Sequence, residues 1–194
     1  MRTLALLLGI GSVAGAFAQP FGPDVIDRPS VDLAYQITFI SGHAAPTSGE
    51  ISEWRLWADT PDVVTLQMWR PISGGYQLVG ANAVTITQAG YNVIPIATGR
   101  IQVLAGDVIG FRYNQTILAN RVIDCTFSAG GLYQWTNWPD PTTDVPVGGS
   151  LMNSQLVGLW EGREYSLAAT VVPEPATLLA LSLGALTLLR RRRN

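Results

Sequence analysis

The sequence predicts an all-β protein: an antiparallel two-sheet β-sandwich of jelly-roll type, with a signal helix before it and a short transmembrane helix after it. Three observations predict this. Apolar and polar residues alternate with a period of two in Val63–Trp69, Val84–Thr87, Ile109–Tyr113 and Tyr165–Val171, the pattern of strands with one face buried. Turn-forming clusters stand between these runs: Asp59-Thr60-Pro61-Asp62, Ser73-Gly74-Gly75, Gln88-Ala89-Gly90, Thr98-Gly99-Arg100 and Ala105-Gly106-Asp107. No part of the stretch between the two termini carries a sustained 3.6-residue apolar stripe. Two stacked sheets would bury one face of each and leave the other to water.

Residues 1–18 read as a secretory signal peptide. Arg2 supplies a basic start, Leu4–Ile10 an apolar run, and Ala16-Phe17-Ala18 the small residues that signal peptidase accepts, leaving Gln19 as the new N-terminus. Residues 19–30, rich in Pro and Asp, read as an extended lead-in. Residues 31–172 are the sandwich domain. Within it Val64, Leu66 and Met68 share one face, with Thr65 and Gln67 opposite, and Trp54 faces the core with Leu56 while Trp57 points away. Residues 128–155, with Gly130-Gly131, Pro139-Asp140-Pro141 and Gly148-Gly149, read as a long irregular loop, where binding sites on rigid sandwiches tend to sit.

Charge and cysteine content narrow the function. The formal net charge of −2 conceals a more acidic middle: from Gln19 to Pro175, seven arginines face fourteen acidic residues, with no lysine. Binding to a nucleic-acid backbone is therefore not expected. The single cysteine, Cys125, excludes an internal disulfide and a cysteine-rich metal site, and its apolar run RVIDCTF suits a buried core thiol.

Residues 173–194 form a separate unit. Pro173-Glu174-Pro175 precedes fourteen uncharged, mainly apolar residues, Ala176–Leu189, and then Arg190, Arg191, Arg192 and Arg193. As a helix the apolar run would reach about 21 Å, short of the roughly 30 Å of a bilayer core, so it makes a weak span. The arginines would stay cytoplasmic and place the β domain on the far side, the orientation that the N-terminal signal also demands. Motif, apolar run and terminal arginine cluster, in this order, resemble the PEP-CTERM sorting signal over residues 172–194. The resemblance implies a Gram-negative host that makes exopolysaccharide and biofilm matrix. It also implies processing by an exosortase, a multi-pass membrane cysteine protease-transpeptidase. Pro173, Glu174 and Pro175 would then be the recognition motif, Ala176–Leu189 a transient inner-membrane anchor, and Arg190–Arg193 the stop-transfer cluster. Two prolines keep such a motif extended and accessible to a protease. The alternative is a single-span anchor that is never cleaved.

The domain itself offers little catalytic chemistry. His43, the one histidine, lies in the small-residue stretch Ser41–Pro46 and reads as a solvent-facing loop residue. The acidic residues Asp59, Asp62, Asp107, Asp140 and Asp144 fall at turns, where aspartate caps its own backbone. No cofactor is implied, and Ca²⁺ at Asp140–Asp144 is the one metal the pattern leaves open. Trp135 and Trp138, beside Asp140 and Asp144, serve either loop packing or contact with a sugar ring. The expected function is an exported surface or matrix protein without enzymatic activity. Its body would serve adhesion or structure, carbohydrate binding included, and its partners would be signal peptidase, an exosortase-like enzyme and exopolysaccharide. A secreted polysaccharide-acting enzyme is the alternative.

Overall fold

The computed structural model describes residues 17–31, 37–113, 122–136, 145–156 and 158–173. They form β1 (Gln19–Phe21), β2 (Ser30–Val31), β3 (Thr38–Ala44), β4 (Gly49–Ala58), β5 (Val63–Ile72), β6 (Gly75–Thr85), β7 (Gly90–Pro95), β8 (Gln102–Val103), β9 (Val108–Arg112), β10 (Asp124–Thr136), β11 (Ser150–Met152), β12 (Gly158–Tyr165) and β13 (Leu167–Val172). Among the described residues the one helical segment is a 3₁₀ turn at Asn153–Gln155. The expected signal helix and membrane helix lie outside the described residues, within which no helix is long and apolar enough to cross a membrane.

The strands pair antiparallel throughout and make two sheets. The smaller runs β1-β13-β4-β7, with β8 also on β4; the larger runs β11-β6-β5-β9-β3-β10-β12, with β2 also on β10. Chain neighbours repeatedly change sheets, as at β3 to β4, β4 to β5, β6 to β7, β8 to β9 and β12 to β13. The all-β expectation holds, and the inner faces of both sheets share one core. Trp54, Leu56, Val64, Leu66, Met68, Phe111, Tyr165 and Val171 are fully buried there. Phe39 stacks on Phe111 at 4.7 Å, and Tyr165 meets the same Phe111 edge-on at 4.8 Å. Trp54 crosses between the sheets, its indole N–H donating to Asn82 Oδ1 at 3.0 Å.

Two departures from simple alternation have local causes. On β4 both Ile51 and Trp54 point inward although they differ in parity. The register against β13 shifts there, Val171 facing Ile51 and Thr170 facing Glu53, so Ser52 is the extra residue of a bulge. On β5 the polar face is covered as well as the apolar one: Thr65 is 9% and Gln67 3% exposed. Part of the cause is a small second cluster on the outer side of the larger sheet. There Ile40, Trp69, Leu78, Val108 and Leu151 pack with Val145 and Leu156. Trp69 lies so close over Gly110 that a Cβ at that glycine would sit 2.7 Å from the indole ring.

The described parts of the segment 128–155 include two strands rather than only irregular loop. β10 continues to Thr136, its register against β12 slipping between Phe127 and Leu132 around Gly130-Gly131, and β11 pairs with the start of β6. The two ends of the stretch 19–30 belong to different sheets: Gln19–Phe21 forms the edge strand β1, and Ser30 opens β2.

Candidate functional site

The last described strand leads directly into the Pro-Glu-Pro motif. β13 is not an edge: Ala169 faces Phe21 on one flank and Trp54 on the other. Its side chains Leu167, Ala169 and Val171 are buried in the core. Val172 still pairs with Glu50, and the next residue is Pro173, whose ring nitrogen has no hydrogen to give a ladder. Pro173 thus ends the strand and begins the motif, with no linker between. The β4 side of this junction is fitted to it. A Cβ on Gly49 would overlap the Val172 carbonyl and lie 2.9 Å from the Pro173 Cα. Glu50 is held by Gln102 Nε2 at 2.5 Å and by Arg100 at 3.4 Å. Gln19, the residue expected to become the mature N-terminus, faces Val171 across the β1–β13 pair. The two ends of the domain therefore lie side by side.

Of the other residues singled out in the sequence, Glu174, Pro175 and Arg190–Arg193 lie outside the described residues, as do Trp138, Asp140 and Asp144 with the Ca²⁺ reading placed on them. Trp135 lies on β10, its backbone opposite Gly158 of β12 and Phe39 of β3. His43 is a correction. It belongs to strand β3 and is half-buried. Burial holds its imidazole below the usual value, with Glu164 opposing the shift and Arg28 adding to it. Small residues made Ser41–Pro46 look like a loop, but β9 and β10 pair with this strand and override that preference. Two of the turn aspartates, Asp62 and Asp107, accept from backbone N–H groups at their turns. Asp62 Oδ1 accepts from the Val63 N–H at 2.6 Å, and Asp107 Oδ2 from the Leu104 N–H at 2.7 Å. Cys125 is buried. Among the described residues no three His, Cys, Asp or Glu side chains are placed to hold a metal ion.

Sequence reasoning missed a polar knot that fixes the segment before β2. Arg28, 8% exposed, donates from Nε to Ser166 Oγ at 2.8 Å, from Nη1 to Thr126 Oγ1 at 3.4 Å, and from Nη2 to Glu164 Oε1 at 2.5 Å and the Asp24 carbonyl at 3.0 Å. Its backbone N–H donates to Asp124 Oδ2 at 3.2 Å. The other oxygen, Asp124 Oδ1, is buried and meets no donor. Burial first, then the neighbouring Asp59 and Asp27 carboxylates, push the Asp124 carboxyl up to about 6, against the lowering hydrogen bond from Arg28. An arginine in a Pro- and Asp-rich stretch was the available signal, but the side chains it binds lie 96 to 138 residues away in sequence.

Residues 171–193 match the PEP-CTERM protein-sorting motif. The match is to this segment and begins on the last two residues of β13. No curated protein sequence and no solved structure matches the chain significantly. The motif implies an exported protein, transiently anchored in a membrane and processed by an exosortase, a membrane enzyme.

Proposed function

We propose that the chain is a cell-surface or matrix protein of a Gram-negative bacterium, exported through its signal peptide, which signal peptidase removes, and held at the inner membrane facing the periplasm. Its tail is cut by the exosortase, and its body serves adhesion or structure through contact with exopolysaccharide, without catalysing a reaction. The observation that carries this reading is the junction at Val172–Pro173, where the sorting motif is continuous with a buried, doubly paired strand. The frequent sheet changes along the chain support a jelly-roll winding. The non-enzymatic reading is supported by the roles the described groups already fill: Asp107 is tied to Arg70 and to a turn, Asp124 lies beneath Arg28, and His43 is half-buried on a strand.

Intact-mass spectrometry of the protein from a producing strain, with and without its exosortase gene, tests the sorting claim. The expected mature protein starts at Gln19 and lacks Leu178–Asn194 only when the enzyme is present. A mature protein that keeps those residues in both strains would overturn it.

A further inference from the structure

The outer face of the smaller sheet holds an aromatic surface on which no sorting role depends. Because Trp54, Leu56 and Ala58 turn inward, Arg55 and Trp57 of β4 turn outward. Their partners on β7 are Val93 and Tyr91, 48% and 45% exposed. On its other flank Arg55 faces Ala168, whose lone methyl leaves a depression in the sheet. The chain leaving β1 rises beside it as a wall. Gly22, at φ +115°, packs so tightly that a Cβ would lie 2.8 Å from the Leu167 carbonyl, and Arg28 grips the Asp24 carbonyl from behind. The result is a groove of about 320 Å³ bounded by Pro20, Pro23, Asp24, Arg55, Tyr91 and Ala168.

The polar groups around this groove are unspent. Arg55 commits its Nε to Glu53 at 2.6 Å, and no acceptor among the described residues takes its two terminal nitrogens. The Tyr91 hydroxyl, the Trp57 indole N–H and the Asp24 carboxylate likewise have no hydrogen-bond partner among the described residues. An exposed ring face flanked by free donors on one side and free acceptors on the other matches a sugar ring, which offers a C–H face and a rim of hydroxyls. The volume is at the lower end of the roughly 300–1,000 Å³ of small-molecule sites, enough for one or two rings. Glu53 offsets the Arg55 charge, and the acidic, lysine-free body repels polyanions.

We propose that this groove is a binding site for a neutral saccharide, with the Tyr91 ring against the sugar face and Arg55 and Asp24 on its hydroxyls. The proposal rests on the reading of the body as an exopolysaccharide-contacting domain and gives that contact a place on the smaller sheet.

The test uses the full chain in a detergent without a sugar headgroup, titrated calorimetrically. The probes are disaccharides of glucose, galactose, mannose and N-acetylglucosamine, a glucuronate oligosaccharide, and a proline-rich peptide. A neutral disaccharide is expected to bind. Tyr91→Ala and Arg55→Gln should each lose about tenfold or more in affinity with an unchanged Tm, and Trp135→Ala/Trp138→Ala should retain binding. Full affinity in Tyr91→Ala with loss in the tryptophan double variant would overturn the groove while leaving carbohydrate contact standing. No binding to any sugar would overturn both. Preference for the glucuronate or the peptide would overturn the neutral-saccharide assignment.

Discussion

Replacing Asp124 with asparagine should stabilise the protein at neutral pH and remove a pH dependence. Asp124 is 3% exposed; Oδ2 accepts one backbone hydrogen bond, and Oδ1 has no donor. The charged groups that face it are Arg28, already tied to Glu164, and the carboxylates of Asp27 and Asp59. Ionisation there is opposed chiefly by burial, and the carboxyl titrates at about 6 rather than 3.8. The folded state thus holds this proton more tightly than the unfolded chain. The stability it supplies is complete below about 3.8 and is lost as the pH rises through about 6. A gap of roughly two pH units corresponds to about 3 kcal/mol. Asparagine has the shape of the protonated acid and supplies an N–H that can donate to Asp27. At pH 7.5 the Asp124→Asn variant should therefore exceed the wild type by up to about 3 kcal/mol, and near pH 4 the two should converge. Urea unfolding of both mature proteins from pH 4 to 8 measures this. The difference between them cancels the separate titration of His43. A wild type that is the more stable at pH 7.5, or a gap that does not change with pH, would refute the reasoning.

Two further substitutions probe the fold and the junction. Arg70 grips the buried Asp107 with Nε and Nη2, both at 2.9 Å, so Arg70→Met leaves a carboxylate 2% exposed without its cation. A loss of about 3–5 kcal/mol is expected, read from urea midpoints, and adding Asp107→Asn should recover part of it. Gly49→Ala pushes against Val172 and Pro173. It should lower stability by about 1–3 kcal/mol and speed cleavage between residues 172 and 175 by an added nonspecific protease, followed by mass spectrometry. Unchanged cleavage would mean that the β4 start does not brace the exit.

The strands were legible where one face is apolar and the pairing is regular, as in Val64, Leu66 and Met68. They were less so where long-range partners decide. Ile51 and Trp54 break parity only because of a bulge against β13. Gln67 is buried in part because Trp69 folds over it and donates to its Oε1 at 3.2 Å. Residues 19–30 read as a lead-in, yet Gln19–Phe21 forms β1, an edge strand where the N–H missing at Pro20 is tolerated. The sorting motif could be read because its parts follow one another in a line. The groove beside Tyr91 could not: its walls come from β1 and the chain after it, β4, β7 and β13, and only the registers bring them together.

The placement of β13 also sets how the body would bear a pull. A chain tethered through its processed C-terminus takes the load along the axis of β13. This strand is laddered to three residues of β1 on one side and, through all six of its own residues, to β4 on the other. Tension along it loads those bonds in shear, many at once, whereas an edge strand drawn sideways would peel bond by bond. Force entering at Pro173 is thus shared across the smaller sheet from the first residue.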